Sequence, residues 1–214
     1  MLRKLPIIIA IATLASCGGK ENATETAVQE NKVTVNPNVK AEEFNPESVK
    51  LNDAASALIK NSQIDSAMML LDQAIALDTN FYPAHGNKIK IYIRKKDLTN
   101  AVNECEIILS KKPDLAETWT FAGMIYDKQG NTEKASQYFE NSIKLLEERI
   151  ANPELQQNIM SNRFNRAYAM ILSGKEKEGK EEMQKLKDEG MDPKTVDNYL
   201  KWTKQIIIDG TLGM

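Results

Sequence analysis

The sequence predicts an all-α fold: a solenoid of stacked helical hairpins carried behind a disordered N-terminal tether. Three observations predict it. Ala67, Ala101 and Ala135 recur at intervals of 34 residues, and Tyr92 and Tyr126 keep the same interval, with Leu58 one period earlier. Short polar stretches, Asn61-Ser62-Gln63, Lys95-Lys96-Asp97 and Gln129-Gly130-Asn131, separate the apolar-periodic segments and read as turns between paired helices. Residues 18–44 contain no Leu or Ile and one aromatic, Phe44, so they cannot bury enough apolar surface to offset their conformational entropy.

The first segment stands apart in composition. Arg3 and Lys4 precede an uncharged apolar stretch from Leu5 to Ala15. That stretch is shorter than the roughly 20 residues a membrane-spanning helix needs, and fits the apolar region of a secretory signal. Its end, Leu14-Ala15-Ser16-Cys17, resembles the bacterial lipobox. The resemblance implies that residues 1–16 are removed as a signal peptide and that Cys17 is acylated. Two or three acyl chains, each burying methylenes at about 0.8 kcal/mol apiece, would anchor a soluble domain to a membrane. Gly18 follows the cysteine where an inner-membrane retention signal would carry aspartate, so the expected location is the outer membrane of the cell envelope, in either leaflet. Loss of Arg3 and Lys4 leaves 26 basic residues against 30 acidic, a mature chain near −4. Cys105 is then the only free thiol, and no intramolecular disulfide is expected. Residues 17–44 form the acylated cysteine and its tether; as a flexible coil this segment spans about 30 Å, enough to clear the lipid headgroups.

A repeat domain is expected over residues 45–209. Its register gives units at 48–81, 82–115 and 116–149. The third reads Trp119, Ala122-Gly123, Tyr126, Gly130, Ala135 and Phe139. It resembles the tetratricopeptide repeat, with Ala122 in place of that family's leucine. Small residues at 122, 123 and 135 let two antiparallel helices approach, and large ones at 119, 126 and 139 fill the flanking space. One such pair cannot cover its own apolar face, so neighbours must stack.

Helix-start signals agree with this register. Asn45-Pro46 predicts an N-cap followed by proline at the first helical position. Asp114 with Glu117 predicts a capping box at the start of the third unit. A fourth, degenerate unit over 160–190 is displaced: Ala167, Met170, Gly174, Gly179 and Met183 lie 44 residues after Gly123, Tyr126, Gly130, Ala135 and Phe139. The ten additional residues fall around Glu147–Pro153, where the preceding helix is expected to run on. Asp192-Pro193 opens a capping helix over 192–209, with Val196, Tyr199, Leu200, Thr203, Ile206 and Ile207 as its apolar face.

Little in the sequence points to catalysis. The single histidine, His85, occupies the place of Trp119 and is expected to pack. A zinc site needs three or four converging ligands of a kind this chain does not supply. Cys105 aligns with Leu71 and Phe139 and is expected to be buried and inert. No nucleophile elbow, phosphate-binding loop or dinucleotide fingerprint occurs. Carboxylate pairs such as Glu147-Glu148 and Glu181-Glu182 have lysine neighbours and read as solvated helix faces. Met68, Met69, Met124, Met170 and Met183 are mostly expected to fill the core. With a formal charge of −2 and no basic domain, nucleic acid is not an expected partner, and neither an enzyme nor a cofactor is expected.

The expected function is protein binding by a membrane-anchored adaptor or assembly factor. The alternative is a permanent structural or accessory subunit of an envelope secretion, gliding or surface-assembly complex. The family resemblance implies that the first helix of each unit lines a concave groove. In this register the lining includes Asn52, Ile59 and Lys60; Lys90, Ile93 and Arg94; and Glu117, Met124, Asp127 and Lys128. Four bases against two acids make that surface near +2, which suits an acidic, partly apolar partner segment along Lys60, Lys90 and Arg94. The carboxylate clamp of some family members is incomplete: Asn87 fits one of its asparagine positions, but Glu117 stands where a lysine belongs.

Overall fold

A computed structural model describes residues 44–214; the signal segment, Cys17 and the tether as far as residue 43 lie outside the described residues. Among the described residues every regular element is helical. Helices α1 (Pro46–Lys60) and α2 (Ile64–Leu77), α3 (Tyr82–Arg94) and α4 (Leu98–Lys111), and α5 (Ala116–Lys128) and α6 (Thr132–Ala151) form three consecutive hairpins. A short 3-10 helix, Pro153–Asn158, leads into a fourth hairpin of α7 (Ile159–Ser173) and α8 (Glu176–Asp188). Two short helices follow, α9 (Pro193–Lys201) and α10 (Lys204–Leu212).

The helix starts show which local signals act. Asn45 accepts a hydrogen bond from the Glu47 amide at 2.9 Å, and Pro46 fills the first turn, where its missing N–H costs nothing. Asp97 and Asn131 cap α4 and α6 by accepting from the Asn100 and Lys134 amides at 3.0 and 3.1 Å. The capping box expected at Asp114 and Glu117 does not form. α5 starts at Ala116 behind Leu115, so Asp114 lies one residue too early to cap it. The Glu117 carboxylate instead meets the Arg149 guanidinium at 2.8 Å, a stronger partner than a backbone amide. Each hairpin closes through a left-handed residue at the same place: Ser62 (φ 61°), Lys96 (φ 58°) and Gly130 (φ 82°), with Gly174 (φ 97°) in the fourth.

The 34-residue alanines mark the closest approach of the paired helices. Ala67, Ala101 and Ala135 are buried, as are Leu71, Cys105 and Phe139 four residues further on. A Cβ on Gly123 would stand 2.7 Å from Phe139 Cε1, so the aromatic ring takes the space glycine leaves. Successive hairpins stack by packing the second helix of one on the first helix of the next. α1 also meets α3, and α5 meets α7, so the first helices run side by side along one face. α6 has 20 residues against 14 in α2 and α4; its overrun and the 3-10 helix together absorb the displacement of the fourth hairpin.

Three expectations need correction. Phe44 belongs to the fold, not the tether: its ring lies 5.0 Å from Phe81 and 5.5 Å from Tyr82, edge to face. Met69 is 57% exposed and fills no core, unlike Met124 and Met183. The single capping helix expected over 192–209 is two helices. Backbone at Trp202 and Thr203 is extended, and the Thr203 hydroxyl caps a new helix by accepting from the Ile206 amide at 3.4 Å. α9 covers the fourth hairpin, with Tyr199 against Phe164 and Tyr168 at 5.4 and 5.5 Å.

Candidate functional site

The face lined by the first helices of the hairpins falls into two parts of different chemistry. On the first two hairpins it is open and basic. Lys60 ends α1, Arg94 ends α3, and Lys90 lies one turn earlier; all three are exposed, and Ile93 beside them is half-buried. Their positions are fixed by the backbone and by a buried amide. Arg94 donates to the Ile59 carbonyl at 2.6 Å, tying the end of α3 to the end of α1. Asn87 is buried, donates to Asn52 Oδ1 at 2.7 Å and Ser56 Oγ at 3.0 Å, and accepts from Lys90 Nζ at 2.9 Å. Ser56, which the sequence did not single out, thus joins the site; it lies four residues after Asn52, on the same face of α1.

The charges here are uncompensated. Among the described residues no carboxylate lies within ion-pair distance of Lys60, Lys90 or Arg94. Lysine and arginine in a last helical turn are favoured by the exposed carbonyls, which accounts for Lys60 and Arg94. It does not account for Lys90. Partial burial, and then the like charges of Lys60 and Arg94, hold the Lys90 ammonium below the ordinary lysine range. An anion bound among the three cations would relieve that repulsion.

On the third and fourth hairpins the same face is closed. Met124 is 2% exposed, and Lys128 reaches Asp209 of α10 at 2.7 Å. Asp127 is paired with Lys204 at 2.5 Å, and Glu117 with Arg149. The lining charges of this half are therefore all answered from within the chain. Of the residues expected to form one groove, Lys60, Lys90, Ile93 and Arg94 come together on open surface, whereas Met124 and Lys128 lie under α10. No local signal in α10 announces where it docks, so its cover could not be read from the sequence.

Among the described residues, the cysteine and the histidine lie elsewhere. Cys105 is fully buried, and burial together with Glu106 and Glu104 pushes its thiol far above the ordinary range, so it is no nucleophile. His85 is buried in a polar cluster: its Nδ1 lies 2.6 Å from Glu104 Oε2, and Lys88 Nζ bridges Glu104 Oε1 at 3.0 Å and Asp72 at 3.2 Å. Among the described residues no group of three potential ligands is placed to hold a metal ion, and no helix is long and apolar enough to cross a membrane.

Residues 116–146 match the family model described as tetratricopeptide repeat, which is the third hairpin less the end of α6. The fold is a tetratricopeptide-type stack. Among solved structures, the N-terminal domain of stress-induced protein-1 from C. elegans is 23% identical. That alignment covers 54% of this chain and 93% of the other, with a TM-score of 0.44. The first tetratricopeptide domain of Spaghetti (RPAP3), solved with an HSP90 peptide, is 16% identical over 54% of this chain and 90% of its own, with a TM-score of 0.43. No curated protein matches the sequence.

Proposed function

We propose that this chain is a lipid-anchored adaptor or assembly factor of the bacterial cell envelope, which holds an acidic segment of a partner protein on its first two hairpins. A tetratricopeptide-type stack is a protein-interaction architecture, and the reading assigns it no catalysis. One observation carries the choice of partner: Lys60, Lys90 and Arg94 converge on open surface without a carboxylate, while every other lining charge on that face is paired. Ile59 is buried beneath this cluster and Ile93 half-buried beside it, giving apolar contact along the same track. The Leu14-Ala15-Ser16-Cys17 ending of the signal supports the anchor, and Gly18 supports an outer-membrane address.

The test is crosslinked capture from native membranes, followed by affinity measurement on the captured protein. Binding should weaken as salt rises, because exposed charges are screened within about 10 Å at 0.1 M. It should also fall in the Lys90→Glu, Arg94→Glu double variant. Capture that survives both changes would move the contact to the convex face or to residues 147–162, and would overturn the acidic-segment reading.

A further inference from the structure

α10 has the properties of a bound ligand more than those of a structural cap. It has nine residues, with Gly210 and Thr211 inside it, and a helix so short and so composed does not hold in water by itself. It is helical because it is docked. Ile207, Ile208 and Leu212 are buried in the same core as Met124, and Tyr168 Oη lies 3.4 Å from both Met124 Sδ and Thr211 Oγ1. The polar contacts are matched in sign. α5 presents Asp127 and Lys128 as neighbours of opposite charge, and α10 answers with Lys204 at 2.5 Å and Asp209 at 2.7 Å. Asp209 is held further by Gln205 at 2.9 Å. A cap needs only an apolar side toward the stack and a polar side toward water; α9 already provides that for the fourth hairpin. Two extended residues, Trp202 and Thr203, join α9 to α10, so α10 can leave without moving α9.

We propose that α10 is a displaceable ligand in cis. The face of the third and fourth hairpins beneath it is a second binding surface, for an amphipathic helical segment of a partner protein. That segment would carry the α10 pattern: a lysine, two adjacent branched aliphatics three and four residues on, and an acid five residues on. α10 keeps the surface closed until such a segment displaces it. The surface is separate from the basic cluster of the first two hairpins and does not depend on it.

Amide hydrogen exchange on the detergent-solubilised full chain tests the first half without any substitution. α10 amides should exchange at least tenfold faster than those of α5, in an opening that leaves α1–α9 protected. A fluorescent peptide of residues 202–214 tests the second half. It should bind a full chain carrying Ile208→Asp saturably, and bind the native chain at least tenfold more weakly, because there the surface is occupied. Adding Lys128→Glu to the Ile208→Asp chain should weaken the peptide, and a peptide carrying Asp209→Lys should recover it. The proposal is overturned if α10 amides exchange in step with α5. It is overturned equally if the Ile208→Asp chain loses the protection of α1–α9, or keeps it and still fails to bind the peptide.

Discussion

Gly179 lies against the backbone of Ala167: a Cβ on Gly179 would stand 2.6 Å from the Ala167 carbonyl oxygen and 2.8 Å from Ile171 Cγ1. The first of these is main chain and cannot move aside. Gly179→Ala should therefore destabilise the fourth hairpin by about 1–3 kcal/mol, although alanine is the better helix former. Gly86, inside α3, has nothing within 4 Å of its virtual Cβ. Gly86→Ala should stabilise by roughly 0.5–1 kcal/mol, the ordinary helical gain. Thermal or denaturant melts of both variants check the contrast; equal signs would refute it.

The repeated left-handed turn predicts a second pair of opposite effects. Lys96 adopts φ 58° where the third hairpin has Gly130 at φ 82°. Left-handed backbone costs a non-glycine residue about 1 kcal/mol, partly offset by the greater unfolded-state entropy of glycine. Lys96→Gly should raise stability by about 0.5 kcal/mol, and Gly130→Ala should lower it by about 1 kcal/mol. Equilibrium urea unfolding resolves both.

Glu104 makes the second hairpin acid-sensitive. Burial pushes its carboxyl upward, but hydrogen bonds from His85 and Lys88 and the Lys88 charge outweigh that, and it is held below the usual carboxylate range. A carboxyl depressed in the folded state contributes stability above its unfolded value, near 4.3, and that contribution is lost as pH falls through the folded value. Melting temperature should thus drop below about pH 4 in the native chain, and more shallowly in Glu104→Gln. At neutral pH Glu104→Ala leaves the buried His85 Nδ1 and the half-buried Lys88 ammonium without this carboxylate and should cost about 3 kcal/mol.

Acylation should depend on Cys17 alone. A Cys17→Ser chain should lose incorporation of labelled fatty acid and leave the membrane fraction, while retaining the helical circular dichroism of residues 44–214. Retention of label would refute the lipobox reading.

The stack was legible because its determinants are local and periodic. The alanine interval, the polar turns and Asn45-Pro46 each act within one unit, and each is found where the interval puts it. What escaped notice depends on partners distant in sequence. The Asp114–Glu117 pair has the spacing of a capping box, but Arg149, 32 residues beyond Glu117, supplies a better partner. Glu104 and Ser56 have no motif; their roles come from His85 and Asn87 on the neighbouring first helix. Lys128 reads as an exposed groove position until Asp209 folds back on it.

That fold-back changes how the molecule should come apart. Units in an ordinary repeat array touch only their neighbours, so such arrays unzip piecemeal from either end. Here the Lys204–Asp127 contact bridges 77 residues and ties the far end of the chain to the third hairpin for as long as α10 is docked. Most of the buried apolar side chains fall into two groups, one running from Ala55 to Ile91 and one from Ile89 to Leu212. While α10 is docked the second group is closed on itself; α10 should leave first, and only then should the rest of that group come apart. The first has no such closure, so among the hairpins the first two are the ones expected to fray first.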